Sequence, residues 1–222
     1  VENNLKISIL CSDDEHPVNS ALAIWINRNK VDNEILLART KNELKFGDIL
    51  FLVSCNEIID KCVRDKFKAT LVLHASDLPE GRGWSPHIWK IIEGSSEIVV
   101  SLIEAEDAVD SGRIWRKNKI NVPKHALWDE INALIFDAEL DLMDFAIQEY
   151  FSVEPYEQSH IPPSYYPKRS PGDSRLDPSH SIESLFNQIR VCDPTRFPAK
   201  FELFGQDNKI ILKKIGGQKN DY

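Results

Sequence analysis

His74 closes the apolar run "ATLVLH", and Asp110 stands 36 residues later in "EAEDAVDSGRIW". An imidazole and a carboxylate brought together can handle protons near neutral pH, because the carboxylate fixes the ring tautomer and stabilises its charge. Between them, "HASDLPEGRGWSPHIW" holds Pro79, Gly81 and Gly83, which suit a tight loop, and then Trp84-Ser85-Pro86. Proline is tolerated in a first helical turn, so a helix is expected from there. Spacing alone leaves a plainer alternative open, a histidine that satisfies loop backbone in an ordinary strand-to-helix turn.

Such residues act together only on a scaffold that gathers strand ends. "LKISILCS" (Leu5–Ser12), "GDILFLVSC" (Gly47–Cys55), "ATLVLH" (Ala69–His74) and "SEIVVSLIEA" (Ser96–Ala105) read as buried strands, and "GRIWRKNKINV" (Gly112–Val122) as a more exposed fifth. "HPVNSALAIWINRN" places Ala21, Ile24 and Trp25 at helical spacing, and an amphipathic helix is expected from Lys124 to about Tyr150. Strands apolar on both faces that alternate with helices predict a Rossmann-like α/β fold, a mostly parallel sheet flanked by helices. Ligands then sit beyond the carboxyl ends of the strands, where Ser12, Asn56, His74 and the loop Asp107–Asp110 fall.

Composition changes after the long helix, dividing the chain into an α/β domain (1–155) and a small C-terminal extension (156–222). "SVEPYEQSHIPPSYYPKRSPGDSRLDPS" is extended but rich in Tyr, Lys and Arg. "HSIESLFNQIRVC" reads as a short helix capped by Ser179 or Ser181. "AKFELFGQDNKIILKKI" reads as a β-hairpin around a Gly-Gln-Asp-Asn turn, and the tail "GGQKNDY" as loose. The hairpin near Phe201–Leu212 suits pairing with a second copy as well as with its own sheet, so a homodimer stays open.

The 222 residues carry a net charge of −8, which argues against a nucleic-acid partner. The four cysteines (Cys11, Cys55, Cys62, Cys192) fit no metal spacing and read as free thiols, and no metal is expected. With no apolar run of about 18 residues and no signal peptide, the chain is expected to be cytoplasmic, without a membrane partner.

"HASDLPEGRGWSPHIWKIIEG" resembles the HxSLLP segment of the folate-dependent formyltransferases, the superfamily of glycinamide ribonucleotide formyltransferase and methionyl-tRNA formyltransferase. "EAEDAVDSGRIW" resembles their acidic Asp-x-Gly loop, the His74–Asp110 separation matches that of their catalytic pair, and "DILFLVSCNEII" is similar to the strand whose end cradles the pteridine. "SYYPKRSPGDSRLDPSHSIESLFNQIRVCDP" is similar to the Arg-x-Pro-Glu-Asp region of sugar N-formyltransferases, with Gly172 where Glu is usual.

The resemblance implies formyl transfer from N10-formyltetrahydrofolate to the amine of a nucleotide-linked 4-amino-4,6-dideoxy sugar, for surface polysaccharide or glycan biosynthesis. His74 and Asp110 would be catalytic; Glu57, Ile58, Ile59, Glu106 and Asp107 would hold the pteridine. Ser76, Arg82, Gly83, Tyr165, Lys168, Arg169 and Arg190 would form the acceptor side, the basic groups neutralising a diphosphate. Where the family carries an oxyanion-steadying Asn, this chain has Val72. Asn56, at the end of the preceding strand, is the expected substitute donor and Ser76 the second. A rival class is a catalytically impaired module that binds folate or nucleotide sugar. A dinucleotide enzyme is disfavoured, since no GxGxxG follows Leu5–Ser12.

Overall fold

The computed structural model describes residues 4–215. In chain order the elements are β1 (Lys6–Leu10), α1 (Val18–Asn29), β2 (Glu34–Ala38), β3 (Gly47–Leu52), α2 (Lys61–Arg64), β4 (Phe67–His74), β5 (Arg82–Gly83), α3 (Pro86–Ile92), β6 (Glu97–Glu104), β7 (Ile114–Asn121), α4 (Trp128–Gln148), β8 (Tyr165–Tyr166), α5 (Ile182–Arg190), β9 (Ala199–Leu203) and β10 (Gln206–Ile210). Six strands form one sheet in the order β2-β1-β3-β4-β6-β7. β1 to β4 pair in parallel, as expected of a mostly parallel sheet flanked by helices.

One face packs Ile7, Ile9, Phe51, Leu71 and Leu73 against α1 and α4, where Trp25 and Leu142 are buried. The opposite face gathers Leu50, Leu52, Ile59 and Val63 under the short helix α2. Burial on both faces explains why these strands read as continuous apolar runs.

Three features differ from the sequence expectations. β2 was not anticipated; "EILLA" is short and half-buried at the sheet edge. β6 runs antiparallel to β4, with His74 opposite Ser101 and Leu71 opposite Glu104. The end of β6 therefore does not lie beside His74, as parallel pairing would require. Only the two-residue β5 and the short α3 separate the two strands, and the chain folds over the top of the sheet and re-enters from there. The hairpin turns at Phe204–Gly205 rather than at Gly-Gln-Asp-Asn, both residues having positive φ (52° and 75°). A two-residue left-handed turn matches the strand twist and leaves Gln206 to Asn208 to pair.

The hairpin pairs with itself as a separate sheet and shares a small apolar cluster with Leu176, Leu185 and Ile189. Ser181 caps α5, its side chain accepting from the Ser184 amide at 3.1 Å. The expected loose tail, 216–222, lies outside the described residues. Among those described, the four cysteines are free, no group of residues suits a metal ion, and no helix is long and apolar enough to cross a membrane.

Glu139 lies on the buried side of α4, and its Oε2 has no hydrogen-bond partner among the described residues. Burial pushes its carboxyl up from 4.5 to about 8. Between those values the folded state holds a proton that the unfolded chain has released, so stability falls as pH rises. At about 1.4 kcal/mol per unit, the loss near pH 8 is on the order of a few kcal/mol. Glu139→Gln removes the ionisable group. It should raise stability at pH 8 and leave little difference near pH 4.5, as read by denaturant unfolding across pH.

Candidate active site

His74 ends β4 on the same sheet face as Val72 and is 7% exposed. Its Nε2 lies 2.9 Å from the Gly81 carbonyl. A carbonyl only accepts, so Nε2 is assigned the proton and Nδ1 faces Asp110. Nδ1 is 3.6 Å from Asp110 Oδ1, beyond hydrogen-bond distance. The imidazole and carboxylate thus face one another across a gap that a shared proton or a donor from a substrate can bridge.

Asp110 reaches this place against the course of its strand. β6 stops level with Leu71, three residues short of His74, which is roughly 10 Å along a strand. The following loop climbs back and turns at Asp110, whose φ is +55°. The Gly83 amide donates to Asp110 Oδ2 at 2.9 Å. Gln158 Nε2 donates to the carbonyls of Asp110 (2.8 Å) and Gly112 (2.9 Å), and Arg82 donates to Gln158 Oε1 at 2.7 Å. The glycine of the Asp-x-Gly motif has a steric reason, since a Cβ on Gly112 would sit 1.9 Å from the Glu104 carbonyl.

The loops after β3 and β6 are joined through Arg64. Its guanidinium donates to the Ile59 carbonyl at 2.8 Å and pairs with Asp107. Ile59 is buried in the α2-side cluster, whereas Ile58 is 82% exposed. Glu57 Oε1 accepts from the Lys41 amide at 3.3 Å, and Glu106 is exposed. Asn56 is exposed, and its backbone N–H donates to Ser12 Oγ at 2.8 Å. That bond draws it toward β1, on the far side of β3 from His74.

Ser76 is 3% exposed, and its Oγ has no partner among the described residues. Arg82 and Gly83 form β5, which pairs with Tyr165 and Tyr166 of β8. Tyr165 is exposed, Lys168 Nζ lies 4.5 Å from the centre of the Trp84 ring, and Arg169 donates to Ser174 Oγ at 3.1 Å. Arg190 is 2% exposed and gives its donors to Asn187 and to the carbonyls of Pro123 and Ala126. As placed, it ties α5 to the entry of α4 and does not join the acceptor side.

Three residues near the site were not singled out in the sequence: Arg64, His87 and Gln158. His87, in the first turn of α3, has a shielded Nδ1 with no partner among the described residues. Burial, reinforced by nearby His74, holds its imidazole down at about 4, so it is neutral. The only available signal for His87 was its place in "WSPHIW", and Gln158 was one polar residue in a Pro/Tyr-rich stretch.

The family described as "Formyl transferase" matches residues 13–147. The chain belongs to the formyl transferase family. Its sequence is 27% identical over 184 residues to the methionyl-tRNA formyltransferase of Finegoldia magna, covering 78% of this chain and 58% of that one. The Desulfotalea psychrophila enzyme of the same name is 26% identical, with 78% and 54% covered. The chain thus spans little more than half the length of these relatives. Among solved structures, the methionyl-tRNA formyltransferase of Clostridium thermocellum superposes with a TM-score of 0.78 at 19% identity, covering 93% of this chain and 97% of that one. A sugar N-formyltransferase from Shewanella superposes at 0.72 with 14% identity, covering 96% and 99%. At these identities the structural likenesses speak for the fold.

Within this family member, Gly83 has no room for a side chain. Its φ is +96°, and a Cβ would lie 2.4 Å from the Tyr166 carbonyl. Gly83→Ala should break the β5–β8 pairing and free Asp110 Oδ2. The expected cost is about 1–3 kcal/mol from the backbone alone, measured by denaturant unfolding, with faster hydrogen exchange at the Trp84 amide that donates to Tyr166.

Proposed function

We propose that this chain transfers a formyl group from N10-formyltetrahydrofolate to the primary amine of a nucleotide-linked 4-amino-4,6-dideoxy sugar used in surface polysaccharide or glycan biosynthesis. The observation that carries the reading is the buried His74–Asp110 pair at the end of β4, with the C-terminal extension folded over it through β5 and β8. N10-formyltetrahydrofolate is the co-substrate of the family. A HypX structure from Aquifex aeolicus, in complex with tetrahydrofolic acid, superposes with a TM-score of 0.75 at 18% identity, covering 92% of this chain and 37% of that one.

The residues present fit such a donor. Ile58 and Val109 expose apolar side chains (82% and 64%) on the two loops that Arg64 ties together. A flat heterocycle could cover them while bonding to loop backbone. The donor supplies an activated formyl carbon. His74, with Nε2 held by Gly81, presents Nδ1 toward the reacting centre. As the amine nitrogen bonds the formyl carbon, the His74–Asp110 gap takes up the proton the amine loses and returns it to N10 as the N10–formyl bond breaks, releasing tetrahydrofolate. Ser76 Oγ, buried and unpartnered, is the better-supported donor to the oxygen that gains charge, since Asn56 is drawn toward Ser12. On the acceptor side, exposed Tyr165 and the Lys168–Trp84 contact offer stacking and charge for a nucleotide. The net charge of −8 favours a small phosphorylated acceptor over tRNA.

A second reading, an impaired module that binds without transfer, has Val72 in its favour. The two separate on incubation with N10-formyltetrahydrofolate and UDP- or dTDP-linked 4-amino sugars, followed by mass detection of one added formyl group. Transfer to a sugar supports the proposal; transfer to methionyl-tRNA alone overturns the acceptor. Folate binding with no transfer to any amine supports the impaired module. In an active protein, His74→Ala and Asp110→Ala should each lower kcat by about 10²–10⁴. Ser76→Ala should lower it by about 10²-fold with little change in KM.

A further inference from the structure

We propose that Gln158 is a positioning residue for the reaction, setting Asp110 against His74 without touching either substrate. Asp110 is a non-glycine residue at φ +55°, a conformation that costs about 1 kcal/mol or more and persists only where neighbours impose it. The carboxylate end is held by the Gly83 amide. The backbone end is held by one side-chain amide, Gln158 Nε2, which reaches both the Asp110 and Gly112 carbonyls. Those carbonyls lie on either side of Ser111, where the loop that climbed from the end of β6 has just turned at Asp110.

The orientation of the Gln158 amide is itself determined. Both carbonyls require the nitrogen on their side, and Arg82, which can only donate, requires the oxygen on the other. Gln158 is placed by the reciprocal backbone bonds between Tyr156 and Ile114. Asp110, the loop bearing Gly83, and the extension segment are thereby locked into one arrangement. A displacement of about 1 Å at a reacting group can cost about 10² in rate, and His74 and Asp110 already stand 3.6 Å apart.

The kinetic part of the test rests on the formyl-transfer reading, and the exchange part does not. Gln158→Ala and Gln158→Glu are compared with the parent. The glutamate keeps an acceptor for Arg82 but cannot donate to the two carbonyls, so it tests the donation in a folded protein. Both variants should lower kcat by about 10²-fold with KM little changed. In an Asp110→Ala background, Gln158→Ala should lower it no further, as expected of residues acting as a unit. The Gly83 amide should lose protection in both single variants, measured by hydrogen exchange on the free protein whether or not any amine is formylated. Full kcat in Gln158→Glu, an additive loss in the Asp110→Ala background, or unchanged Gly83 protection in both variants would overturn the proposal. Failure of the transferase reading would show instead as no turnover by the parent.

Discussion

Antiparallel pairing of β6 on β4 sends the chain away from His74, and the nine residues between Glu104 and Ile114 have to undo that descent. The site depends on this reversal. A loop that climbs beside its own strand is crowded, and Gly112 passes against the Glu104 carbonyl where no Cβ fits. It must also present its acid inward, which it does by placing Asp110 in the left-handed region. Gly83, from a segment 27 residues earlier, secures the carboxylate, and Gln158, 48 residues later, secures the backbone. Asp110 is therefore a product of three separate segments meeting.

The electrostatics follow from that enclosure. His74 and Asp110 are both shielded from water, and in such surroundings an imidazole and carboxylate interact more strongly than on a surface. His87, shielded alongside, stays neutral because removal from water disfavours its charged form. Val72 sits on the same face, packed between Leu52 and Ile103, its partners across the sheet. The valine adds apolar contact where an amide would have added a donor. The buried Ser76 hydroxyl, two residues beyond His74, has no partner among the described residues.

Much of the scaffold was legible. Continuous apolar runs marked β1, β3, β4 and β6, because strands covered on both faces have no polar side to show. Proline and glycine marked the loop after His74, and Ser179 or Ser181 marked the start of α5, where Ser181 is the cap. β2 escaped because a short, half-buried edge strand lacks a strong period. The direction of β6 could not be read, since an apolar run looks the same whether paired parallel or antiparallel. The hairpin was recognised and its turn misplaced, because Phe204 is not a residue that advertises positive φ.

By itself the sequence determined most of the apolar strands and helices and the family, and the family resemblance paired His74 with Asp110, because period, turn chemistry and motif spacing are local properties. Tertiary structure decided which charged groups are free to act. Arg190 and Lys168 look alike in sequence, yet one is spent on buried carbonyls and the other lies over an exposed ring. Tertiary structure also made Gln158 part of the site. Its partners lie tens of residues away, and no local pattern records a hydrogen bond that exists only once the chain has folded back on itself.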